Sequence, residues 1–132
     1  MKPDAVARHL TGEIIARLEK AGFEVTGLVM KRLDRAEAES FYAIHKDREF
    51  FPGLVEFMTS GPLVAVKLEG GDVCRKVREF VGATDPAKAV PGSIRADFGT
   101  TVRTNAVHAS NPEEDVRREV EFFFPGPGSP RR

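Results

Sequence analysis

Ser60-Gly61-Pro62-Leu63-Val64-Ala65-Val66-Lys67-Leu68-Glu69-Gly70-Gly71-Asp72 is the stretch on which the fold turns. Both ends are turn chemistry: Ser-Gly-Pro stops the preceding element, and Gly-Gly-Asp separates the run from the next one. Between them Leu63–Leu68 is a short apolar run with β-branched residues, the mark of a strand. The period then changes. Val73, Val77, Phe80 and Val81 fall at i, i+4, i+7 and i+8, one stripe of a helix that Gly82 closes. On the other side, Phe50-Phe51-Pro52-Gly53 is a turn-like aromatic cluster, and a short helix comes after it with Leu54, Val55 and Met58 inward.

Reading outward, Thr11–Ala21 is a helix with Ile14, Ile15 and Leu18 on one stripe, Thr11 as N-cap and Ala21-Gly22 as stop. Phe23–Met30 reads as a strand. Asp34 with Glu37 three residues on forms a capping box that opens a helix to about Ile44. Residues 83–104 show no long period, and a connection of that length is usually functional. Asn105–Ala109 makes a short strand. Asn111-Pro112-Glu113-Glu114 starts a last helix, lined by Val116, Val120 and Phe123. Strands and helices alternating in this way predict an α+β fold, helices on one face of a small antiparallel sheet of three readable strands. Residues 1–124 form one domain, and 125–132 read as a disordered Pro/Gly tail.

Composition narrows the function. The 132 residues fit one domain. Lys plus Arg and Asp plus Glu are 20 each, so the basic excess of a dedicated nucleic-acid binder is missing. The longest apolar run, Leu63–Val66, is far short of the ~20 residues that span a bilayer. No signal-peptide core stands near the start. Cys74 is the only cysteine, which excludes an internal disulfide and a cysteine zinc site and points to a cytoplasmic setting.

His108 is the candidate nucleophile, because the neutral form of imidazole is populated near neutral pH. Asn105 precedes it by three and Ser110 comes two later. Glu119, at the edge of the last helix's apolar stripe, can reach its ring. On the residues alone a structural histidine at a strand end stays open. So do bland roles elsewhere: dipole compensation for Arg78, a loop-fixing ion pair for Arg95, a turn cap for Thr84. Phe50 and Phe51 read as well as plain core. His9 and His45 read as solvated. Phe122-Phe123-Phe124 run consecutively, so one phenyl should point away from the core and mark a contact between subunits.

Several stretches together resemble the nucleoside diphosphate kinase family. They are Lys2-Pro3-Asp4, Gly12-Glu13-Ile14-Ile15, Lys46-Asp47-Arg48, Phe50-Phe51-Pro52-Gly53-Leu54, Ser60-Gly61-Pro62, Gly82-Ala83-Thr84-Asp85-Pro86, Pro91-Gly92-Ser93-Ile94-Arg95-Ala96-Asp97-Phe98 and Asn105-Ala106-Val107-His108-Ala109-Ser110. They run in order from Lys2 to about Phe124. The resemblance implies a ferredoxin-like βαββαβ core. It also implies a ping-pong phosphotransferase that moves the γ-phosphate of ATP or another nucleoside triphosphate to His108, then to a nucleoside diphosphate. Glu119 and Ser110 would support the histidine, and Arg78, Arg95, Thr84 and Tyr42 would bind phosphate. Lys2 would reach sugar hydroxyl and phosphate, and Asn105 the ribose. Phe50 with Leu54 would stack on the base, opposite Val102. No metal-ligand set is implied; Mg2+ would ride on the nucleotide phosphates. A homo-oligomer, tetramer or hexamer, is implied as well. The absence of a glycine-rich phosphate loop agrees with the family, which holds phosphate by side chains.

The sequence departs from the family pattern at Ala109, usually Gly, and at Glu49, usually Pro. The pattern also sets an inner strand immediately before Lys-Pro-Asp, where this sequence has Met1, so the sheet is expected without that first strand. Two functions stand as expectations: an active kinase, or a catalytically impaired family member that binds nucleotide and regulates. An RNA-binding ferredoxin-like domain lacks both the aromatic pattern and the basic balance it needs.

Overall fold

A computed structural model describes residues 1–111 and 116–126. The element order is α1 (Pro3–Ala7), α2 (Thr11–Lys20), β1 (Glu24–Lys31), α3 (Arg35–Phe41), α4 (Phe51–Met58), β2 (Leu63–Glu69), α5 (Val73–Val81), α6 (Ile94–Phe98) and α7 (Val116–Phe123), with single 3-10 turns at Ala43–His45 and Pro86–Lys88. The expected helix start at Asn111-Pro112-Glu113-Glu114 and most of the Pro/Gly tail lie outside the described residues.

β1 and β2 pair antiparallel, from Glu24 opposite Glu69 to Lys31 opposite Leu63, with one irregularity between Val25 and Gly27. Gly27 leaves room there for the Phe124 ring, which a Cβ at 2.8 Å would push aside. Two apolar clusters flank the sheet. One joins α2 to α5 and α6 through Ile14, Leu18, Val81 and Ile94, and takes in Ala106 and Val107. The other gathers Leu33, Phe41, Tyr42, Val55, Met58 and Leu63.

Most elements form where the periods place them, and three expectations are corrected. Thr11 is the first residue of α2, not its cap; Leu10 takes the cap position without a side-chain bond. The run Phe122-Phe123-Phe124 leaves none of its rings fully outside. Phe122 and Phe123 meet Phe41 at 5.2 and 5.4 Å, and Phe124 covers Gly27.

The largest correction is at Asn105–Ala109, which is not a strand; the sheet of the described residues has two strands. Ala106 has φ +75°, outside the extended region. Val107 N–H turns back to Asn105 O at 3.0 Å. Side chains take the groups a ladder would use: Asp4 Oδ2 accepts from Ala106 N–H at 3.1 Å, and Arg95 donates to Val107 O at 2.9 Å. Main-chain bonds still tie this segment to the chain's first residues. Lys2 N–H donates to Ala106 O at 2.9 Å, while Met1 and Val64 exchange two bonds of 2.6 and 3.0 Å.

Candidate active site

His108 stands just after this bent segment, its side chain about one-third exposed, 34%. Glu119, on α7, faces it from the buried side of that helix. Its Oε1 lies 3.1 Å from His108 Nε2 and accepts from Ser110 Oγ at 2.7 Å. Burial works against ionising Glu119, but the hydrogen bond and charge of His108, the bond from Ser110 and the charge of Arg118 outweigh it. The carboxyl therefore sits below the usual carboxylate range. An ionised carboxylate at Nε2 fixes the proton there and leaves Nδ1 with its lone pair. Phe41 and Tyr42, where α3 ends, meet the imidazole edge-on at 5.8 and 6.2 Å and set its plane. Tyr42 is buried, and its hydroxyl has no hydrogen-bond partner among the described residues. Burial, then the charge of Glu119, raises its pKa, so it stays a phenol able to donate.

Three cations are held near the histidine's backbone. Arg78, in the last turn of α5, donates to Ala109 O at 2.9 Å. Arg95, buried in α6, spans Val107 O and Gly82 O at 2.9 and 3.0 Å. Burial, reinforced by the charge of Arg78, lowers its pKa to about 10. Lys2 is also buried, and its Nζ donates to Asn105 Oδ1 at 2.8 Å. Asn105 in turn donates to Thr84 O at 2.9 Å. Lys2, Asn105 and Thr84 thus form one chain of contacts, although Thr84 contributes its carbonyl here, not its hydroxyl.

Phe50 and Val102 are 44% and 56% exposed, while Leu54 is half-buried. The first turn of α4 meets the loop that bears Val102 at one point: a Cβ on Gly53 would lie 2.7 Å from the Arg103 guanidinium nitrogens. An apolar cavity of about 200 Å³ lies between β2 and α7, lined by Val66, Leu68 and Val120, with His108 and Glu119 also in its wall. It is smaller than the ~300–1,000 Å³ of ligand pockets.

Sequence reasoning missed three participants. His45 is not simply solvated. Its ring lies 6.5 Å from Tyr42 and 5.5 Å from Phe50, between two of the candidate site residues; the i, i+3 spacing of Tyr42 and His45 was the available signal. Arg103 carries no local signal, and Asp4 none beyond its place in Lys2-Pro3-Asp4, because their contacts are made by residues remote in sequence. Among the described residues no group of three or more His, Cys, Asp or Glu could hold a metal ion.

A histidine backed by a carboxylate, ringed by lysine, arginines and a phenol, with apolar groups open at the mouth, is equipped for nucleotide-dependent phosphoryl transfer. The nucleoside diphosphate kinase family model matches residues 1–127. Nucleoside diphosphate kinase 2 of Protochlamydia amoebophila is 55% identical over 124 residues, 94% of this chain and 87% of that protein. The Aquifex aeolicus nucleoside diphosphate kinase structure superposes with a TM-score of 0.91 at 45% identity, over 95% of this chain and 91% of that one. The Halobacterium salinarum enzyme, solved with CDP, gives 0.90 at 44%, over 95% and 84%. The chain belongs to the nucleoside diphosphate kinase family, and its α+β fold is that family's ferredoxin-like fold.

Proposed function

We propose that this chain's nucleoside diphosphate kinase reaction runs through a phosphohistidine at Nδ1 of His108. One observation carries the reading: Glu119 engages Nε2 at 3.1 Å, so only Nδ1 is free to attack. In the first half-reaction Nδ1 forms a bond to the γ-phosphorus of a nucleoside triphosphate, and the bond to the β–γ bridging oxygen breaks. The nucleoside diphosphate leaves with that electron pair. In the second, a terminal oxygen of another nucleoside diphosphate takes the phosphoryl group and restores the neutral ring. Glu119 stabilises the positive charge that the ring acquires between the two steps.

Arg78, Arg95, Thr84 and Tyr42 bind the moving phosphoryl group in this reading. A guanidinium has five N–H donors, so each arginine keeps donors beyond its backbone contacts. The unpartnered Tyr42 hydroxyl supports a ligand at that place. Lys2 and Asn105 hold ribose and phosphate. Phe50 and Leu54 stack on one face of the base and Val102 covers the other, which gives little base selectivity because every base has a π-face. Magnesium enters as part of the nucleotide substrate and neutralises phosphate charge.

A cytoplasmic tetramer or hexamer belongs to the same reading. The family's ferredoxin-like fold supports this reading by holding Met1 to Val64 beside β2 and Lys2 to Ala106. The contacts of Glu119 with Nε2 of His108 and with Ser110 favour the active kinase over the regulatory alternative.

Labelled ATP and an alkaline denaturing gel test the proposal. The unaltered protein should form an alkali-stable, acid-labile phosphoenzyme, and His108→Ala should form none while still binding ADP within a few-fold. Steady-state transfer by His108→Ala above a small percentage of the unaltered rate refutes the assignment.

A further inference from the structure

Two residues before His108 the backbone makes an uncommon bend. Ala106 has φ +75°, and Val107 N–H bonds to Asn105 O at 3.0 Å, spanning one residue. That is a γ-turn with positive central φ, a rare and strained conformation for an L-residue with a Cβ. Among the described non-glycine residues only His9 and Asp72 share a positive φ, and both are exposed. Ala106 is fully buried. Strain of this kind persists only where the surroundings over-determine it.

The surroundings here come from α1. Lys2 N–H donates to Ala106 O at 2.9 Å, and Asp4 Oδ2 accepts from Ala106 N–H at 3.1 Å. Both polar groups of the strained residue are therefore held by one short segment, residues 2–4, far away in sequence. The other Asp4 oxygen, Oδ1, is buried without a hydrogen-bond partner among the described residues. Keeping a carboxylate oxygen unpaired in the interior is costly. Asp4 is then poorly explained as a helix-starting residue alone, a role that an exposed aspartate would fill.

We propose that Asp4 is a positioning residue for phosphoryl transfer: it locks the γ-turn at Ala106 and so fixes where the His108 imidazole stands. This deepens the reading of His108 as nucleophile and rests on it. The turn sets the direction in which the chain leaves Ala106, and Val107 O is then pinned by Arg95. The ring emerges one residue later, with Nε2 at Glu119. Without Asp4 the Ala106 amide loses its acceptor, and the segment relaxes towards extended backbone. That relaxation moves the ring relative to Glu119 and the phosphate-binding cations. A misplacement of about 1 Å can cost on the order of a hundredfold in rate.

The test uses single-turnover phosphorylation of the full chain by excess ATP, with thermal melting alongside. Asp4→Ala should slow phosphohistidine formation by about tenfold or more, at temperatures well below its melting point. Asp4→Asn keeps an acceptor oxygen and should recover most of that loss; if Asp4→Ala does not fold, Asp4→Ser, whose shorter side chain stops short of the Ala106 amide, takes its place with the same expected slowing. Ala106→Gly removes the Cβ that makes the positive φ strained. In the Asp4→Ala background it should restore several-fold of the lost rate, because glycine holds the turn without the acceptor. The proposal is overturned if Asp4→Ala lowers only the melting temperature and leaves the phosphorylation rate unchanged. It is equally overturned if Ala106→Gly gives no recovery. If the unaltered protein forms no phosphohistidine, it is the His108 assignment that fails.

Discussion

Lys2 carries its charge where burial resists it. Its Nζ is bonded to Asn105 Oδ1, and burial, reinforced by the charge of Arg95 and partly offset by Asp4, lowers its pKa from 10.5 to about 8. Stability and activity should therefore move in opposite directions with pH. Between pH 8 and 10.5 the unfolded chain keeps a proton that the folded chain has released, so stability from this group rises with pH across that window. In the proposed reading Lys2 binds phosphate as its ammonium, so kcat/KM should fall as pH rises through about 8. Lys2→Arg, with a guanidinium that stays charged, should have lower activity at pH 7 but a flat profile through that range. A flat wild-type profile from pH 7 to 9.5 contradicts the account. At this scale the sequence was unevenly legible. Glu119 could be paired with His108 because it borders an apolar stripe on the next helix. The hold of Arg95 on Val107 O could not be read, since nothing local to either residue encodes their distance.

α3 shows what makes an element readable, and what breaking it would cost. Its start is written locally: Asp34 accepts from Glu37 N–H at 2.8 Å, and Glu37 Oε1 accepts from Asp34 N–H at 3.1 Å. Glu37 also pairs with Lys31 of β1, so the cap is tied to the sheet. The far end of the helix delivers Phe41 and Tyr42 to His108. Asp34→Ala should cost about 1 kcal/mol of stability and lower Tm by a few degrees. It should change kcat little at 25 °C, because the apolar packing of Phe41 and Tyr42 still holds the helix end. Thermal melts and steady-state rates check both halves; an unchanged Tm means the capping box contributes nothing. Asn105–Ala109 is the contrary case. Its residues suit a strand, yet partners 12 and 102 positions away take its backbone groups and a γ-turn bends it. Local propensity cannot report a conformation imposed from that far.

Among the described residues the β1 face is an apolar surface that a single copy leaves unexplained. Along β1 every second residue is exposed, and Leu28 and Met30 are 55% and 60% exposed. β1 is an edge of the two-stranded sheet among the described residues, so its outer backbone groups are open to another strand. The phenylalanine run is less exposed than this face, since Phe122 and Phe123 pack on Phe41 and all three rings are half-buried. Burying Leu28 and Met30 across a two-fold axis removes four side chains from water, about 1.5–3 kcal/mol each. The gross gain of roughly 6–12 kcal/mol is similar to the ~4–15 kcal/mol lost in association. Side chains alone therefore make a marginal dimer, and strand pairing along the β1 edge must add to them. Light scattering at micromolar concentration should give a mass several times that of one chain. Leu28→Lys with Met30→Lys should shift the protein towards single chains by placing like charges across the axis, where they repel. The melting temperature should become less dependent on protein concentration in that variant. A monomeric wild type at micromolar concentration overturns this assignment of the β1 face, and an unchanged mass in the double variant moves the contact to another surface.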